Sequence, residues 1–78
     1  MLLATGVEQR LASGTYNVKM DMTTGDARLE WKINEDAFQD VPDSVKTADA
    51  GFTVTLPGCV IKSTITGDAV VNLTLVSR

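Results

Sequence analysis

The chain contains no histidine, one cysteine, two prolines, and only one tryptophan, one tyrosine and two phenylalanines among 78 residues. Without histidine, the commonest general base and zinc ligand are missing. Cys59 has no imidazole to take its proton, which excludes a Cys–His nucleophile. A lone cysteine can neither close an intrachain disulfide nor anchor a tetrahedral N/S metal site. So few aromatics are a poor platform for stacking on bases. Ten acidic against seven basic residues give a net charge of −3. No two basic residues are adjacent, so there is no stripe to follow a phosphate backbone, and nucleic acid is not an expected partner. The acidic excess is too mild for a DNA mimic and serves solubility. The apolar residues 1–4 are far too few for a signal h-region or a membrane span, and no basic residue precedes them. The chain is therefore expected to be made in a cytoplasm, and a free cysteine fits a reducing compartment. The Asn72-Leu73-Thr74 sequon is read as chance.

What is present is period-two alternation. Tyr16, Val18, Met20 and Met22 alternate with Asn17, Lys19 and Asp21. Ala27, Leu29, Trp31 and Ile33 alternate with Arg28, Glu30 and Lys32. The same holds for Phe52, Val54 and Leu56, for Cys59, Ile61, Ser63 and Ile65, and for Ala69, Val71, Leu73 and Leu75. Successive strand residues point to opposite faces, so each segment has one apolar and one mostly polar face. The expected fold is all-β: a small antiparallel β-sandwich or partly open barrel of about six to seven short strands, joined as meander hairpins. Residues 1–6 read as an arm and 7–78 as a single β domain. Strands are expected at 15–22, 27–33, 37–41, 52–56, 59–65 and 69–76, with 7–12 a short edge strand or turn and 45–51 loop or edge.

Turns are marked by Thr23-Thr24-Gly25-Asp26, Asn34-Glu35-Asp36, Pro42-Asp43-Ser44, Pro57-Gly58 and Thr66-Gly67-Asp68. Thr24-Gly25-Asp26-Ala27 recurs as Thr66-Gly67-Asp68-Ala69, which reads as repeated use of a good hairpin turn or as a duplicated hairpin. The expected core is Tyr16, Val18, Met20, Leu29, Trp31, Ile33, Phe38, Val41, Phe52, Val54, Leu56, Ile61, Ile65, Val71, Leu73 and Leu75. A domain this small buries only about 60% of its surface on folding. With disulfide and zinc absent, association with itself or a larger partner is the remaining common staple.

The search for chemistry returns little, and no enzyme activity and no cofactor are expected. The carboxylates Glu30, Glu35, Asp36, Asp40 and Asp43 could be a glycosidase pair. Most fall in turns, where such residues serve local hydrogen bonding, and a domain this small lacks room for a cleft beside its core. Asp36, Asp40 and Asp43 could hold a weak surface ion, but their spacing is not that of an EF-hand loop. Lys62 and Ser63 are adjacent and so point to opposite faces. Trp31 is in phase with Leu29 and Ile33, which favours packing over stacking on a ligand. The outward residues Thr53, Thr55, Thr64, Thr74, Val60, Val70 and Val76 form sparsely charged faces, read as ordinary β-propensity or as surface that packs on another protein.

Taken alone, these residues do not say what the protein does. The run Leu29-Glu30-Trp31-Lys32-Ile33-Asn34-Glu35-Asp36-Ala37-Phe38-Gln39-Asp40-Val41-Pro42-Asp43-Ser44, followed by Phe52-Thr53-Val54-Thr55-Leu56-Pro57 and Cys59-Val60-Ile61-Lys62-Ser63, resembles a module of tailed-phage structural proteins. There a strand ends in an aromatic and a short turn, then an aromatic-x-x-Val strand, then a threonine-rich strand; Gly14-Thr15-Tyr16-Asn17-Val18 fits the same style. Over residues 14–76 the chain resembles the small β proteins that decorate phage heads, the cement proteins. The resemblance implies a virion structural role on the capsid surface, with the major capsid protein as partner and a homo-trimer or other homo-oligomer as the working form, without nucleic acid or membrane. The contacts are expected from Met1, Leu2, Leu3 and Val7 and from the outward Thr53 and Thr55. Two other functions stay open: a tail, neck or fibre binding module that recognises host glycans, and a small inhibitor that pairs with a host protein by strand addition.

Overall fold

A computed structural model describes residues 1–33 and 37–77. Seven strands follow one another: β1 (Gln9–Leu11), β2 (Gly14–Asp21), β3 (Gly25–Lys32), β4 (Gln39–Asp40), β5 (Ala50–Leu56), β6 (Cys59–Gly67) and β7 (Val70–Ser77). They form two antiparallel sheets, ordered β1-β6-β3-β4 and β5-β2-β7. The protein is an all-β sandwich, as the alternation predicts. The turn expected at Asn34-Glu35-Asp36 lies outside the described residues.

The strand neighbours differ from a meander. Among the described residues only β3 and β4 are consecutive strands paired with each other; the other connections carry the chain from one sheet to the facing one. The two Thr-Gly-Asp-Ala turns are therefore corners of arches, not hairpins. An arch keeps the same side chains pointing at the core as a hairpin does, so alternation cannot tell the two apart.

The echo in the sequence is one structural unit. Gly25 and Gly67 lie directly opposite each other at the end of the β3–β6 ladder. Both take positive φ, 86° and 77°. Asp68 Oδ1 accepts from the backbone N–H groups of Thr23 and Thr24 at 2.9 and 3.0 Å. The Asp26 N–H donates to Thr66 Oγ1 at 3.0 Å, and that hydroxyl donates back to Asp26 Oδ1 at 2.7 Å. Each turn is thus completed by the other.

Residues 1–6, read as an arm, lie along the body. Leu3 N–H donates to the Val71 carbonyl at 2.9 Å and Leu73 N–H to the Met1 carbonyl at 2.8 Å. The segment then crosses to the other sheet, where Gly6 N–H donates to the Ser63 carbonyl at 2.9 Å and Ser63 Oγ donates to the Leu3 carbonyl at 3.0 Å. It closes the seam between β7 and β6 and covers part of the free edge of β7. Residues 41–46 do similar work along β3. Ser44, fully buried, accepts the Leu29 N–H through Oγ at 3.2 Å and donates to the Leu29 carbonyl at 3.1 Å; Lys46 exchanges two backbone bonds with Ala27. A buried polar side chain standing in for a missing strand satisfies backbone groups that would otherwise be orphaned.

The buried core is Leu3, Leu11, Tyr16, Val18, Met20, Ala27, Leu29, Val41, Leu56, Cys59, Ile61, Val71 and Leu73. Trp31, Ile33, Phe52, Val54 and Ile65 are half-buried against it. Two residues expected in the core are elsewhere. Phe38 lies just before the two-residue β4 and belongs to no strand, so strand phase does not turn it inward. Its ring lies outside, beneath the ammonium groups of Lys62 and Lys32, 4.2 and 5.1 Å from the ring centre. Leu75 is 40% exposed although it lies opposite Tyr16; the β2–β7 register shifts immediately beyond this pair, and β7 is exposed from Thr74 onward. Tyr16 keeps its ring buried and donates its hydroxyl to the Ala12 carbonyl at 2.7 Å, pinning the β1–β2 connection.

Candidate interaction face

The two sheets present chemically different outer faces. On the β1-β6-β3-β4 sheet the outward residues include Arg10, Asp26, Arg28, Glu30, Lys32, Asp40 and Lys62. Glu30 and Asp40 are direct cross-strand neighbours, and Arg28 Nε lies between them at 3.8 and 3.6 Å, within ion-pair range but beyond hydrogen-bond length. Thr64 Oγ1 donates to Glu30. This charged face is suited to water. Val60 and Thr64, expected on a sparsely charged face, belong here instead.

The outer face of β5-β2-β7 carries Thr53 and Thr55 on β5, Thr15 and Asn17 on β2, and Val70, Asn72, Thr74 and Val76 on β7. Among the described residues its charges are Lys19 and Asp21 at one end, 3.9 Å apart. Side-chain bonds between strands order it: Thr15 Oγ1 with Thr55 Oγ1 at 3.2 Å, and Thr53 Oγ1 donating to Asn17 Oδ1 at 3.0 Å. Leu2, bridged to Asn72 and 60% exposed, extends the face by one apolar side chain. The surface is uncharged over most of its width and has surrendered part of its side-chain freedom before any partner arrives, which lowers the entropic cost of binding.

The residues expected to make contacts are thus divided. Thr53, Thr55 and Leu2 share this face; Met1 and Val7 are also exposed. Leu3 is not available to a partner: it is 1% exposed, because alternation turns it inward when Leu2 points out. Thr15, Asn17 and Asn72 complete the face and were legible as the polar phase of β2 and β7. A groove of about 530 Å³ opens at the edge of this sheet where Gly51 has no side chain, lined by Asn17, Lys19, Asp21, Asp49, Phe52 and Thr53.

Titratable groups with shifted behaviour are structural. Burial pushes the Cys59 thiol up, so it stays protonated at neutral pH. The backbone N–H groups of Thr24 and Thr23 hold the Asp68 carboxyl below the ordinary aspartate value of 3.8. A lowered folded-state pKa stabilises the fold above the unfolded value, and this contribution is lost as pH falls through the folded value. The melting temperature of Asp68→Ala should fall below that of the parent at neutral pH, and the gap should close on acidification to about pH 2. A gap that stays constant would assign the effect to something other than this carboxylate.

Ser63 and Lys62 point to opposite faces, with Ser63 Oγ committed to Leu3. Among the described residues no group of three His, Cys, Asp or Glu side chains could hold a metal ion; Asp36, proposed with Asp40 and Asp43 for a weak ion, and Glu35 lie outside the described residues. Among the described residues no helix is long and apolar enough to cross a membrane. Compared with known proteins, the chain matches no family model, no curated protein sequence and no solved structure.

Proposed function

We propose that this chain is a non-catalytic structural subunit of a bacteriophage virion, a decoration or cement protein that seats the outer face of its β5-β2-β7 sheet on the outside of the capsid shell. The carrying observation is the asymmetry of the sandwich: one outer face carries charged side chains on all four of its strands, with ion pairs centred on Arg28, whereas the other is threonine-, asparagine- and valine-rich and, among the described residues, has a single ion pair at its end. Depletion of charge is the compositional mark of the centre of a protein interface. The likeness of residues 14–76 to phage decoration modules supports the choice of partner, the major capsid protein, and of a homo-oligomeric working form. Exposed Met1 and Leu2 lie along β7 at the margin of the face and add apolar contact there; Val7 is exposed too, but it follows the crossing to the β6 sheet.

The mechanism is clamping. Each copy spans subunits of the assembled shell, and many individually weak contacts sum. A ligand that binds only the assembled state stabilises it by mass action.

The test is binding to particles stripped of this protein. Leu2→Lys combined with Thr74→Lys places two charges on the face at exposed positions, so folding stability should change by no more than about 0.5 kcal/mol. Affinity for the particle should drop at least about tenfold, roughly 1.4 kcal/mol. Unchanged binding by a folded double variant would remove this face from the account.

A further inference from the structure

We propose that β5 is a self-recognition edge: two copies join by antiparallel β5–β5 pairing centred on Thr53, extending the three-stranded sheet into a continuous six-stranded one. This inference does not depend on the shell-binding reading.

The other sheet edges are blunted. β4 has two residues and β1 three, one of them Arg10. β7 is partly covered by residues 1–3. β5 instead offers seven residues, Ala-Gly-Phe-Thr-Val-Thr-Leu, with no charge and no proline, and among the described residues it has a neighbour on one side only. Such an edge is a template for another strand, and natural proteins normally protect it.

The sequence of β5 is complementary to itself. Centred on Thr53, Phe52 faces Val54 of the second copy and Ala50 faces Leu56, both on the core side. Phe52 and Val54 are half-buried in the single chain, and this pairing covers the rest as an aromatic–β-branched pair. On the outer side Gly51 faces Thr55 of the second copy, whose side chain enters the groove that Gly51 leaves open. No like charges meet. A shift in one direction stacks Phe52 on Phe52 and brings together the two Lys46 ammonium groups that sit 5.1 Å over these rings. A shift in the other sets Pro57, which has no N–H to donate, against Gly51. Seven paired residues make a contact about 23 Å long at 3.3 Å per residue and only one strand wide, which buries well under the roughly 800 Å² per partner of a standard interface. The dimer is therefore weak and concentration-dependent.

Sedimentation equilibrium of the purified chain should show the mass rising from 8.3 kDa towards that of two copies between micromolar and millimolar concentration. Thr53→Lys and Thr53→Glu each set like charges opposite each other across the two-fold axis and should weaken self-association at least tenfold. Their equimolar mixture should restore it, since only a pairing that puts Thr53 opposite Thr53 makes these changes complementary. In the parent protein, amide exchange within 50–56 should slow with concentration while β4 is unaffected, a readout that needs no variant. A parent that stays monomeric, a mass converging on three copies, undiminished association of Thr53→Lys, a mixture that does not recover, or exchange in 50–56 indifferent to concentration would each overturn the proposal.

Discussion

Gly25→Ala and Gly67→Ala should each destabilise the fold by about 3–5 kcal/mol, enough to unfold a domain of this size under ordinary conditions. Two effects add at these positions. The left-handed backbone costs an L-residue with a Cβ roughly 1–2 kcal/mol. The second effect is contact. A Cβ on Gly25 would lie 2.0 Å from the Thr66 carbonyl oxygen, and one on Gly67 would lie 2.4 Å from that of Thr24. These are backbone atoms of the facing corner, which cannot swing away as a flexible side chain can. Gly6 separates the two effects: its φ is also positive, 74°, but a Cβ there meets nothing within 4 Å. Gly6→Ala should therefore cost only about 1–2 kcal/mol. Because the two corners share one contact, the double variant should cost less than the sum of the singles. Denaturant midpoints measure all four. If Gly25→Ala were no worse than Gly6→Ala, the corners would not be packed as described.

Leu3→Ala should cost about 2–5 kcal/mol, whereas Leu2→Ala should fall within about 0.5 kcal/mol of the parent. The contrast between adjacent, identical residues is the point. Leu3 is 1% exposed and Leu2 60%, although the composition of residues 1–4 gives no reason to separate them. Leu3 fills the seam between β7 and β6, and its carbonyl accepts from the buried Ser63 hydroxyl. Loss of its packing also loosens that bond, and an unpaired buried hydroxyl is itself costly. Equal effects of the two substitutions in thermal or chemical denaturation would show that residues 1–6 do not belong to the core.

The strands were largely legible because alternation acts over a few residues. Tyr16, Val18 and Met20, Leu29, Ile61, and Val71 with Leu73 all lie on the faces their phase assigns. The pairing was not legible for the same reason. Phase says which face of a strand is apolar and nothing about which strand lies beside it, so arches and hairpins look alike. The Thr-Gly-Asp-Ala echo did carry non-local information, but two good hairpin turns and two interlocked corners leave the same residues in the sequence. Phe38 was assigned inward by its hydrophobicity within an expected strand at 37–41, but the strand there is only Gln39–Asp40, and the ring packs under Lys32 and Lys62 instead. Ser44 sits outside any repeating pattern, and nothing local marks it as the side chain that satisfies Leu29.

The interaction face was partly legible. Thr53 and Thr55 follow from strand phase, whereas nothing in residues 1–6 separates Leu2, which joins the face, from Leu3, which is buried. That Thr64 and Val60 belong to the opposite, charged face needed the assignment of β6 to its sheet. The division between faces decides the functional reading, since a count of outward threonines alone would have spread the surface over both sides of the sandwich.

Amine labelling of the protein bound to its particle tests that division most directly. Lys19 stands on the threonine-rich face with its side chain 73% exposed in the single chain; Lys32 and Lys62 stand on the charged face over Phe38. The account predicts that binding protects Lys19 while Lys32 and Lys62 react as they do in the free protein. Protection of Lys32 and Lys62 with Lys19 still reactive would contradict it.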